Sequence, residues 1–228
     1  MSAPEFKAAS QLLEFCAASP AHAARGRKVA RALCREHAPL LTAALGGDQR
    51  KSVVAALALL RAALAASPSL AGEIAQLLGG ALPGLQQHTL RDRSGAPIPP
   101  TAAPAELVEL VLALLDAGDR AVLVQLLSGE QRRLATLPLF LLARLPRALQ
   151  LRALGVIRRR VLDNRTLPMR CRLAVCPVAL QRLGAVLADA ADDADGGGGG
   201  LGATTHGFLM RVITLSCTPK EGGDAASD

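Results

Sequence analysis

Apolar positions recur every three or four residues through most of this chain and are broken at short intervals by Pro, Gly and Ser, which is the spacing of amphipathic helices and not the alternation of strands. Phe6, Leu12, Leu13 and Phe15 mark a first helix over about 4–18. It should end at Ser19-Pro20, because proline disfavours the helical conformation of the residue before it. A second helix runs from Arg25 to about His37, restarts at Pro39 and stops at Gly46-Gly47. Asp48 is the expected N-cap of a third, over 49–66, which closes at Ser67-Pro68. Ser69 caps a fourth, over 70–79, that Gly79-Gly80 should stop.

Residues 91–104, RDRSGAPIPPTAAP, carry too much Pro and Gly for a helix and are expected to form an exposed loop. Helices should follow over about 104–116, from Asp119 as a cap to Leu127, over 129–144, over 147–162 with Pro146 at its start, and over 177–191. The expected organisation is a helical repeat-like domain over 1–191, an Asp/Gly-rich flexible linker over 192–202, a terminal helix of the same domain over 203–218, and a disordered tail over 219–228.

Composition narrows the fold class. Half of the 228 residues are hydrophobic, chiefly Ala and Leu, and there is no Trp or Tyr. Helix propensity therefore dominates nearly everywhere, and the expectation is an all-α protein. Short helices with tight turns suit an armadillo/HEAT-like α-solenoid of antiparallel helix pairs, although no exact repeat period is present. Apolar runs such as SVVAALALLRAALAAS (52–67) are interrupted by Arg and polar residues and predict core helices, not membrane spans. With no secretory signal at the start, the expectation is a soluble, intracellular protein without membrane contact.

Chemistry is sparse. Five scattered cysteines (Cys16, Cys34, Cys171, Cys176, Cys217) include no CxxC pair and are expected to be small buried thiols. His22, His37, His88 and His206 lie near turns or helix ends, with no GxSxG, HExxH or carboxylate pair beside them. The glycine run at 196–202 formally contains GxGxxG but follows acids instead of a strand, and Asp192, Asp193 and Asp195 lack the bidentate Glu of a calcium loop. These patterns predict no catalytic residues, no metal, no cofactor and no small-molecule substrate.

Charge is the informative property. Residues 144–172 hold nine arginines (Arg144, Arg147, Arg152, Arg158, Arg159, Arg160, Arg165, Arg170, Arg172) against Asp163 alone, a local balance of +8, while the whole chain is +7. Advancing about 100° per residue from Arg147, Arg158, Arg159 and Arg152 fall at about 20°, about 120° and about 140°. Leu149, Ala153, Leu154, Val156, Ile157 and Val161 occupy the arc from about 180° to about 340°, which Arg160 enters at about 220° with a stem able to snorkel. The candidate polyanion-binding set is Arg147, Arg152, Arg158, Arg159, Arg160, Arg165, Arg170 and Arg172. The bland alternative is a solvated face pairing with Glu106, Glu109 or Glu130, with Asp163 near Arg159 or Arg160. Phe6, Phe15, Phe140 and Phe208 are spaced as core anchors, so no base-stacking platform is expected.

Several segments also carry a resemblance. GRKVARALCREHAPLLTAAL (26–45), VVAALALLRAALAASPSLAGEIAQLL (53–78), LALLDAGDRAVLVQLL (112–127), VIRRRVLDNRTLP (156–168) and HGFLMRVITLSCTPKEG (206–222) occur in an order similar to that of the N-terminal domain of the nucleolar pre-ribosomal-associated protein 1 family. The AGD break before an apolar helix and the helix ending VLDN are its most specific pieces. Members of that family are much longer, so the resemblance implies an N-terminal piece or a truncated gene product. It further implies an armadillo-like, non-catalytic scaffold of the nucleolus or nucleus, acting in early large-subunit assembly and rRNA maturation, with pre-ribosomal RNA and other assembly factors as partners. The alternative is a helical protein-protein adaptor whose basic face takes acidic partner segments without RNA.

Overall fold

The computed structural model describes residues 2–47, 49–90, 105–183 and 199–217, and among these every regular element is helical. The helices are α1 (Ala3–Ala18), α2 (Ala23–Glu36), α3 (Ala38–Gly46), α4 (Arg50–Ala66), α5 (Ala71–Leu90), α6 (Ala105–Ala117), α7 (Arg120–Leu126), α8 (Arg132–Phe140), α9 (Arg147–Ile157), α10 (Met169–Leu173), α11 (176–183) and α12 (Gly199–Cys217). Their ends follow local chemistry. At the start of α1 the Glu5 carboxylate accepts from the Ser2 N–H at 2.6 Å. At the start of α7 the Asp119 carboxylate accepts from the Val122 N–H at 3.0 Å, as the AGD break predicts.

Four expectations change. Residue 48 lies outside the described residues, and the N-cap of α4 is Gln49. A 3-10 turn, Pro68–Leu70, precedes α5, and Ser69 bonds to the Ser67 hydroxyl instead of capping a helix. α5 does not stop at Gly79-Gly80, because Ile74, Ala75, Leu78, Ala81, Leu82 and Leu85 form one buried stripe across the glycines. Each glycine costs about 1 kcal/mol in a helix, whereas burying Leu82 and Leu85 returns about 1.5–3 kcal/mol apiece. The helix expected over 129–144 is α8 flanked by 3-10 turns at Gly129–Gln131 and Leu142–Arg144. Gly129 supplies the single positive φ among the described residues, +55°.

The predicted loop at 91–104, most of the linker and the tail at 219–228 lie outside the described residues. α12 begins at Gly199, inside the stretch expected to be linker, on a helix anchored by the buried Phe208, Val212 and Leu215.

Packing follows a chain of neighbours. α1 lies on α4, α4 on α6, α6 on α8 and α9, and α9 on α12. Beside them α2 packs on α1 and α4, α3 on α4 and α5, and α5 on α7. Leu57, Leu60 and Ala63 of α4, Leu110 and Leu114 of α6, and Leu154 and Ile157 of α9 form one continuous core. Where α2 crosses α1, Gly26 lets the backbones close in, since a Cβ there would sit 2.8 Å from that of Cys16. No helix among the described residues is long and apolar enough to cross a membrane. Of the four phenylalanines expected in the core, Phe6 and Phe208 are buried, but Phe15 and Phe140 are 63% and 40% exposed.

Candidate polyanion-binding surface

Helix α9 is positioned by its apolar arc, Leu149, Ala153, Leu154, Val156 and Ile157, all buried against α6, α8 and α12. The helix does not continue regularly to residue 162. Arg158–Leu162 form a π-helical turn in which the Asp163 N–H donates to the Arg158 carbonyl at 2.8 Å. In an unbroken α-helix Leu162 would fall at about 60°, among the arginines; the wider turn rotates it inward, and both Val161 and Leu162 are fully buried.

That turn sorts the arginines. Arg160, the one that entered the apolar arc, reaches across to the end of α6 and donates through Nε to the Leu115 carbonyl at 3.0 Å and through Nη2 to the Gly118 carbonyl. Arg172 of α10 donates through Nε and Nη2 to the Leu162 carbonyl, at 3.1 and 2.8 Å. Both guanidiniums sit where helix carbonyls are unsatisfied and the helix dipole is negative. Their role here is to join elements.

Arg158 and Arg159 form ion pairs. Asp163 bridges Arg158 at 3.3 Å and Arg211 of α12 at 2.6 Å, while Arg159 meets Asp116 at 2.6 Å. The partners expected from sequence are different: Asp163 pairs with neither Arg159 nor Arg160, and Glu109 pairs with Arg61 of α4. The Arg158 and Arg159 pairs are exposed enough to be screened and contribute little individually, whereas Arg211 is half-buried. Asn164 completes the VLDN ending by accepting the Thr166 N–H at 3.1 Å and its hydroxyl at 2.7 Å, an Asx-type turn that redirects the chain toward α10.

Arg147 and Arg152 on α9, Arg165 after the turn and Arg170 on α10 are exposed, with no carboxylate bonded to them among the described residues. Arg211 adds a further guanidinium that sequence reasoning missed, and Asp116 a carboxylate. Neither was visible in local spacing, since they lie 48 and 43 residues from their partners. Chemically the surface offers planar cations suited to phosphate oxygens. Among the described residues no cluster of three or more His, Cys, Asp or Glu could hold a metal ion.

Four thiols, Cys16, Cys34, Cys171 and Cys176, are buried, and Cys217 is exposed. Burial pushes the Cys34 thiol up to about 11, with the Glu73 carboxylate adding to the shift. No protein-family model, characterised protein or solved structure matches this chain.

Proposed function

We propose that this chain is a non-catalytic scaffold in nucleolar pre-ribosomal particles, supporting early assembly of the large ribosomal subunit and maturation of its rRNA together with other assembly factors. The observation that carries the proposal is the set Arg147, Arg152, Arg165 and Arg170, exposed beside a core-packed helix and without bonded carboxylates among the described residues. The order of segments similar to the nucleolar pre-ribosomal-associated family supplies the biological setting. The succession α1, α4, α6, α9, α12, with α3, α5 and α7 ranked alongside, supports an armadillo/HEAT-like α-solenoid as the scaffold's architecture.

On this proposal the arginines neutralise phosphates of pre-ribosomal RNA, with weak base preference and strong salt dependence. Arg160 and Arg172 hold the surface in place and do not contact RNA. Changing Arg147, Arg152, Arg165 and Arg170 to Glu should therefore leave the fold intact and weaken RNA binding. The slope of log affinity against log salt, followed by fluorescence anisotropy, should become shallower by about three. Unchanged affinity and slope would contradict the proposal. Docking of an acidic protein segment on the same face instead predicts associations that survive RNase.

A further inference from the structure

A second basic surface lies on α2, away from the arginines of α9. Advancing about 100° per residue from His22, the buried or half-buried Val29, Leu33, Gly26, Ala30 and Cys34 span about 340° to about 120°. Arg27, Arg31, Arg35, Lys28 and Arg25 fill the arc from about 140° to about 300°, and all five are exposed. Glu36 is the only acid on the helix. Among the described residues only Arg35 bonds a carboxylate, that of Glu73 at 2.6 Å, whose charge also acts on Arg31, leaving Arg25, Arg27 and Lys28 as cations with no bonded carboxylate. Five cations thus face Glu73 and Glu36 alone among the described residues.

An aromatic stack stands at the end of this stripe. Phe15 of α1, 63% exposed, stacks on His22, the N-cap of α2, with ring centroids 5.7 Å apart and planes at 29°. Arg25 follows His22 by about one turn. Cations along a helix, ending in an exposed π-face, are the pairing that single strands use: phosphates on the cations and a base on the ring. An acidic peptide would satisfy the cations; a single strand would in addition place a base on the ring, and the two probes below separate these cases.

We infer that α2, with Phe15 and His22, is a second docking site for single-stranded RNA, separate from the α9–α10 surface because α4 and α6 stand between them in the packing order. The inference rests on the RNA reading proposed above and extends it: one molecule would hold two RNA segments.

The test uses the full chain and two probes in a salt titration followed by anisotropy, an oligouridylate and an abasic phosphodiester of equal length. Changing Arg27, Lys28 and Arg31 to Gln should lower affinity for both probes and flatten the salt slope by about two. Phe15→Leu should weaken oligouridylate binding about tenfold and leave the abasic probe unchanged. Gln is used in place of Glu so that charge is removed without new repulsion, and circular dichroism of each variant checks the fold. Should the wild type bind and the α9–α10 variant weaken while the α2 variant binds like wild type, this inference falls and the scaffold proposal stands. If the wild type binds neither probe, both fall. A Phe15→Leu effect equal on the two probes, or absent from both, would overturn the assignment to single strands.

Discussion

Arg152 and Arg160 carry the same charge about two turns apart, yet one is exposed to solvent and the other joins α9 to the end of α6. Arg160→Ala removes charge-assisted bonds to two carbonyls and should cost about 1.5–3 kcal/mol in chemical denaturation, whereas Arg152→Ala should stay within about 0.5 kcal/mol of wild type. Equal costs would show that the Leu115 and Gly118 contacts are not made in solution. The intrusion of Arg160 into the apolar arc was legible in sequence; its carbonyl partners were not, because they lie 45 and 42 residues away. Phe15 and Phe140 were misplaced for a related reason: spacing puts a residue on a face, but only packing says whether that face is covered.

Glu73 allows a pH prediction at the same scale. The Arg35 guanidinium bonded to it, with Arg31 adding to the effect, holds its carboxyl below the ordinary range against the opposing effect of burial. A carboxyl depressed in the folded state stabilises above its unfolded pKa, and the contribution disappears as pH falls through the folded one. Stability should therefore decline below about pH 4.3 by an amount that Arg35→Ala reduces, Arg31 supplying the remainder. The amount should be small because the pair is exposed and screened. Thiol chemistry gives an independent check on burial: under native conditions a disulfide reagent should label Cys217 quickly, and Cys16, Cys34, Cys171 and Cys176 only on unfolding.

Among the elements, α5 makes the sharpest contrast between local signal and tertiary outcome. Gly79-Gly80 has the composition of a helix stop, but the buried stripe from Ile74 to Leu85 carries the helix across it. The two glycines are not equivalent. A Cβ at Gly80 meets nothing within 4 Å, so Gly80→Ala should raise stability by about 0.5–1 kcal/mol through helix propensity. A Cβ at Gly79 would sit 2.6 Å from the Gln131 amide, so Gly79→Ala should gain less or destabilise. Equal gains at both positions, measured by thermal unfolding, would mean that Gln131 does not pack there. The π-helical turn at Arg158–Leu162 had one trace in the sequence: Leu162 falls out of phase with the apolar arc, and only a wider turn buries it. Helix ends set by Pro, and by Asp119, were legible because their causes are local.

At the scale of the molecule, the basic stretch at 144–172 was legible from its local balance, whereas the five cations at 25–35 were lost in a sum taken over the rest of the chain, although they too stand without an acid among them. The fold presents the two stretches as basic surfaces at α2 and at α9–α10. Partial pairing with Asp116 and Asp163 lowers the charge of the second surface without cancelling it. Two cationic surfaces on a row of packed helices suit a scaffold that holds RNA by its backbone. The most direct test of that role is sedimentation of the endogenous protein from a nucleolar extract through a sucrose gradient, with and without RNase, probing each fraction for rRNA precursors. The scaffold role predicts co-migration with large-subunit precursors that collapses after RNase; a small free species at the top of the gradient under both conditions would contradict it.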